Sequence, residues 1–144
     1  MKVTVKNLQK IIPINPRKIT EVIFKVLSSE KIKKPGEINI LVVGDKEIKE
    51  FNLLYLGCNS VTDVISFDDS TTKRELLADI VVSAEAARRN ARIFKTVPLY
   101  ELYLYVIHGI LHLVGYDDNN KKNRVIMHQK EEYLCSNIFR LTNH

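Results

Sequence analysis

Alternating strand-type and helix-type segments predict an α/β (α+β) fold. It is a single domain over residues 1–144, a small mixed sheet of about four strands packed with about five helices. Three observations carry this. Segments rich in β-branched residues alternate with segments of helical period. The prolines fall at segment boundaries rather than inside them. One segment, 98–114, is apolar around most of its circumference, which suits a central helix covered on most sides.

Residues 2–6 alternate Val3 and Val5 with polar residues and read as a strand. Residues 11–16 turn, and Asn15 caps a helix that Pro16 opens. That helix turns Ile19, Val22, Ile23, Val26 and Leu27 to one face and stops before Pro35-Gly36. Residues 37–43 form a buried strand. Gly44-Asp45 leads into a second helix, with Asp45 as its cap and Ile48, Phe51 and Leu54 or Tyr55 turned inward. Gly57 ends it. Residues 63–67 and 76–82 are strands, able to pair antiparallel across the polar loop 68–75. Ser83 caps a helix over 84–94, which clusters Arg88, Arg89 and Arg92 on adjacent turns. The helix from Pro98 to Val114 ends at Gly115, and a last helix runs over residues 120–140.

The bulk properties narrow the class. The 22 Lys and Arg against 17 Asp and Glu leave a formal charge of +5, a mild pull towards polyanions and no more. The hydrophobic share of 45% excludes a disordered chain. Cys58 and Cys135 lack metal-type spacing and read as reduced thiols of a cytoplasmic protein. No secretory signal or membrane span is expected. The longest nearly apolar stretch, 102–114, is too short and holds two histidines and a glycine.

The chemistry concentrates on the 98–114 helix. Glu101, Tyr105, His108 and His112 share the stripe that its apolar residues leave open. Histidines one turn apart stand within about 6 Å, which suits two imidazoles on one metal. The plain alternative is a pair of half-buried histidines bonded to neighbours. Beyond Gly115, the turn Tyr116-Asp117-Asp118 can fold a side chain back to the histidine face. His108, His112 and Asp118 then give three ligands and leave an open position, as a catalytic site requires. Asp118 could equally cap the last helix, and the two roles are compatible. Asp117 is the second choice. His128 reads as a surface histidine, and His144 as a chain-end residue.

The string from His108 to Asp118, HGILHLVGYDD, resembles the signature of the YbeY family of bacterial metal-dependent endoribonucleases, His-Gly-x-Leu-His-Leu-x-Gly-Tyr-Asp-His. Thr62–Phe67 (TDVISF) and Ala78–Ser83 (ADIVVS) resemble two further family stretches in the matching order. The likeness spans roughly Asn52 to Glu132, and the first fifty residues agree in element order only. The resemblance implies zinc held by the signature and action on single-stranded RNA. It also implies a part in ribosomal RNA maturation, notably the 3′ end of the small-subunit RNA, and in ribosome quality control.

Two departures stand out. The family's third histidine is here Asp118, an acceptable but harder donor that shifts metal preference towards ions such as manganese. The family's Tyr-Arg is here Tyr55-Leu56, and that arginine is the one associated with the phosphate. Arg88, Arg89, Arg92 and Lys73 are the candidate RNA-binding replacements.

The expected reaction is metal-assisted phosphodiester hydrolysis, with a bound water brought to a pKa of about 7, or attack by the RNA 2′-OH. The general base is unassigned, with Asp63, Ser66 and Asp79 as candidates from the two satellite stretches. Gly109 stands where helical zinc proteases carry glutamate, which argues against a protease. A non-catalytic ribosome-assembly factor with a structural metal is the remaining alternative.

Overall fold

The structure, a computed structural model, describes residues 1–142, so His144 lies outside the described residues. The elements are β1 (Lys2–Asn7), α1 (Pro16–Ser29), β2 (Gly36–Val43), α2 (Asp45–Leu56), β3 (Val64–Asp68), β4 (Leu76–Ser83), α3 (Ala84–Phe94), α4 (Pro98–Leu113) and α5 (Lys121–Thr142). The strands form one sheet in the order β1-β2-β4-β3. β1, β2 and β4 run parallel, and β3 pairs antiparallel with β4, Ser66 opposite Ile80. The mixed α/β architecture anticipated from the alternation is the one observed.

The period of two divides the sheet between two covers. Ile38, Ile40 and Val42 of β2, with Ile80 and Val82 of β4, turn to the face packed by α1 and α4. Val43, Val81 and Ile65 turn to the other face and meet Ile48 and Phe51 of α2. α4 is the hub, touching α1, α3, α5, β3 and β4. Leu102, Val106, Ile107, Ile110 and Leu111 are fully buried on it. Each such side chain contributes about 1.5–3 kcal/mol by leaving water, before entropy is set against it.

Local sequence explains most boundaries. The Asn15 side chain accepts from the Arg17 amide at the start of α1, and Ser83 accepts from Ala86 at the start of α3. Gly57, in the left-handed region at φ 68°, ends α2.

α2 departs from expectation in two ways. Gly44, not Asp45, is its cap, and no side chain of its own caps it. The Asp45 amide donates instead to Glu85 Oε1 at 2.9 Å. The Asp45 carboxylate is held elsewhere, by Ser83 Oγ and the Arg89 guanidinium, each at 2.9 Å. Leu54 and Tyr55 are also not turned inward, being 75% and 59% exposed. α2 meets the sheet through Ile48, Phe51 and the buried Asn52, so its last turn lies beyond that contact. Tyr55 stacks on Phe51 at 6.0 Å and meets Phe67 edge-on at 5.3 Å, both at the rim of that contact.

Candidate metal centre and its cleft

The polar stripe of α4 surfaces as it runs. Glu101 and Tyr105 are buried, His108 is half-buried and His112 is exposed. The two buried groups are satisfied locally: Thr96 Oγ1 donates to Glu101 Oε2 at 2.7 Å, and Asn90 Nδ2 donates to the Tyr105 hydroxyl at 2.6 Å. Burial, first, and the charges of Asp63 and Glu101 push the Tyr105 phenol up to about 12, so it stays protonated at neutral pH. Only the C-terminal half of the stripe is open to a ligand.

His108 and His112 lie parallel, ring centroids 6.5 Å apart and planes 5° from each other. His108 Nδ1 stands 2.6 Å from Glu131 Oε2 on α5. A carboxylate can only accept, so Nδ1 carries the proton and, in the neutral ring, Nε2 keeps its lone pair. Burial pushes the His108 imidazole down. The Glu131 hydrogen bond and charge outweigh this, with Asp63 and Asp118 adding, and the net shift is upward. Glu131 is itself buried and reaches His128 Nδ1 at 3.3 Å with its other oxygen. His128 is exposed, as expected of a surface histidine, yet it lines a hollow with His108, Asp118 and Glu131.

A cleft of about 260 Å³ brings His108, His112 and Asp118 together with Ser66, Asn52 and Leu56. Asp118 is not a helix cap. That role belongs to Asn120, which accepts from the Asn123 amide at 2.8 Å. Asp117 is occupied within the loop, accepting from Asn123 Nδ2 at 2.8 Å.

Gly109 explains why β3 reaches the cleft at all. A methyl group there would stand 2.9 Å from Ser66 Oγ and 3.1 Å from Ile80 Cγ2. The bare Cα lets α4 settle on the sheet with Ser66 beside the histidines. Asp63, just before β3, lines an adjoining cavity with His108, Asp118 and Tyr105.

Other candidates fall elsewhere. Asp79 accepts from Asn39 Nδ2 at 3.1 Å. It alternates on β4 with Ile80, which faces α4, so it lies on the opposite side of the sheet. Arg89 is paired with Asp45. Arg88 and Arg92 are exposed on α3, two residues and thus about 200° from Asn90 and Phe94, which face the cavity. Lys73 lies in a separate groove with Lys34 and Leu113.

Arg124 and Glu131 are the site-forming residues that motif reading passed over. Arg124 lines the hollow with His108 and Asp118, and donates to the Asp118 carbonyl at 3.4 Å. Leu56 occupies the cleft wall as an apolar, exposed side chain.

Two imidazoles and a carboxylate match the donors of a three-ligand zinc site. The His108–Glu131 bond is the outer support that fixes the tautomer of such a ligand. Among the described residues, no three His, Cys, Asp or Glu side chains stand in a closed metal-binding arrangement. The fit is therefore one of donor chemistry and orientation, with Asp118 on a loop that can approach.

A four-stranded α/β domain with a histidine-bearing central helix along a polar cleft has the donor set that a metal-dependent hydrolase uses. The chain belongs to the endoribonuclease YbeY family, whose model matches residues 4–138. The likeness thus runs through the first fifty residues as well, beyond element order alone. A relative named endoribonuclease YbeY from Petrotoga mobilis is 41% identical over 122 residues, 85% of this chain and 84% of that one. Another of that name from Syntrophus aciditrophicus is 36% identical over 141 residues, 93% and 88% of the two chains. The solution structure of TM1509 from Thermotoga maritima is similar with a TM-score of 0.62 and 27% identity, covering 96% of this chain and 88% of that one.

Proposed function

We propose that this protein is a metal-dependent endoribonuclease of ribosomal RNA processing. It would cut single-stranded RNA in the cytoplasm, in maturation of the small-subunit RNA 3′ end and in ribosome quality control. Family membership supports the reaction class. The observation that carries the site assignment is the meeting of His108, His112 and Asp118 on one cleft, with Glu131 behind His108.

In this reading His108, His112 and Asp118 would hold one zinc ion, or a harder divalent ion that the carboxylate favours. A metal held there would supply Lewis-acid polarisation of a phosphodiester oxygen. Glu131 holds the proton on His108 Nδ1 and fixes the ring. Arg124 offers a guanidinium to the phosphate from the same hollow, a role that Leu56 cannot take. Asp63 is the candidate to take a proton from water or from a 2′-OH, because it adjoins His108 where Asp79 does not. Ser66 orients by hydrogen bond.

The test combines elemental analysis with cleavage of single-stranded ribosomal RNA. Wild type carries stoichiometric metal and cuts, whereas His112→Ala loses both. Full cleavage by metal-free His112→Ala overturns the assignment. Asp118→Ala weakens metal binding, and unchanged affinity removes Asp118 from the ligand set.

A further inference from the structure

We infer that the substrate RNA leaves the cleft along a lysine track that runs past the C-terminal end of α4 to Lys34, Lys33 and Lys31. The inference rests on the endoribonuclease reading above and specifies how that site holds its substrate.

The path runs through sequence neighbours on β3 and α4. Ser66 and His112 line the cleft. Asp68, two residues further along β3, and Leu113, the next residue of α4, line a second groove of about 310 Å³ together with Lys73 and Lys34. Lys34 is shared with a third groove of about 490 Å³, which adds Lys31, Lys33 and Phe24. The second and third grooves thus meet at Lys34, and the cleft lies one residue of α4 and two of β3 from the second.

The track has the chemistry of a single-strand binder. Three lysines fall within four residues with no acid among them, and the two carboxylates of the middle groove accept local hydrogen bonds, Glu75 from Thr71 Oγ1 at 2.7 Å and Asp68 from the Ser70 amide at 2.9 Å. The carboxylate just before them, Glu30, is taken up by Lys130 at 3.3 Å and by Tyr116. Just beyond the end of α1, Lys31 adopts the left-handed region at φ 57°. The Lys31 and Ile32 amides turn back to Ser28 and Leu27 there, so Ile32 packs on the core while Lys31, Lys33 and Lys34 stay in solvent. Phe24, 43% exposed beside them, offers an aromatic face for an unstacked base. A cationic groove with an interleaved aromatic is the recognition mode of single-stranded nucleic acid. The arginines of α3 contribute nothing to this path, being paired or turned away from the cavity.

The test is salt-dependent RNA binding by fluorescence anisotropy, using a 12-nucleotide single strand and a 4-nucleotide one, on wild type and on Lys33→Gln/Lys34→Gln. Both lysines are exposed and outside helices and strands, so the variant keeps the fold. Loss of two phosphate contacts lowers the slope of log K against log salt by about 1.4, and weakens binding about 25-fold at 0.1 M salt. The 4-nucleotide strand, confined to the cleft, binds both proteins equally and is cut at the same kcat. An unchanged slope for the long strand, with wild type still cutting RNA, overturns the track alone. Salt-independent binding, the mark of an apolar or protein-directed surface, does the same. If wild type neither binds nor cuts RNA, the endoribonuclease reading falls, and the track with it.

Discussion

His108 and Glu131 are joined by a 2.6 Å hydrogen bond between α4 and α5, across 23 residues of sequence. The carboxylate is buried and also holds His128. It is therefore the residue that decides which nitrogen of His108 faces the cleft. Glu131→Gln keeps the volume and removes the charge. Metal affinity is expected to fall 10–100-fold, the usual effect of losing an outer support. Competitive titration against a chelator of known affinity reads this directly. Equal affinity in the two proteins would show that His108 is oriented without Glu131.

Gly109→Ala sets two effects against each other. Alanine raises helix propensity by about 1 kcal/mol. The added methyl meets Ser66 Oγ at 2.9 Å and the buried Ile80 at 3.1 Å, and overpacking costs about 1–3 kcal/mol. Because Ile80 belongs to the fully buried core, the overpacking wins. Urea unfolding is expected to show net destabilisation of about 1 kcal/mol. A Ser66→Ala background, which removes the closer contact, should lessen it. A raised midpoint would mean that α4 rides higher on the sheet than described.

Asp69 gives a pH signature remote from the cleft. Its hydrogen bond with Asp79, first, then burial and the charges of Asp79 and Asp68 raise its pKa from 3.8 to about 6. A raised carboxyl means that the native state holds the proton more tightly than the unfolded chain. This contribution to stability is present in full below 3.8 and is lost as pH rises through about 6. NMR titration of the Asp69 carboxyl should give a midpoint near that value, and Asp79→Asn should bring it down. A midpoint that ignores the substitution would separate the two side chains.

The two thiols should differ in reactivity. Cys58 is exposed, whereas Cys135 is buried. Burial, first, and the charge of Glu101 push the Cys135 thiol up to about 12, so at neutral pH it offers almost no thiolate. A chromogenic disulfide reagent should titrate one thiol in the native protein and the second only on unfolding. Two fast equivalents would mean that α5 opens readily from α4.

Much of this was legible in the chain. Prolines and glycines at segment boundaries gave the elements, and the polar link 68–75 pointed to the antiparallel β3–β4 pair. Local spacing gave the histidine pair and the glycine turn that carries Asp118. What escaped were partners distant in sequence. Asp45 resembled a helix cap because nothing nearby showed that Glu85, forty residues on, would satisfy its amide. The α3 arginines looked like phosphate ligands until Asp45 claimed one and the helix turned the others away. Glu131 did leave a trace. It falls on the stripe of α5 that buries Met127, Leu134, Cys135 and Ile138, and a carboxylate on an apolar stripe implies a partner.

α5 follows every other described element in chain order, and it is α5 that brings Glu131 to His108. A nascent chain therefore presents the histidine helix before the carboxylate that sets it. A prematurely terminated copy that ends before Glu131 carries both histidines with His108 unanchored. Orientation of the His108 ring thus waits on the docking of α5.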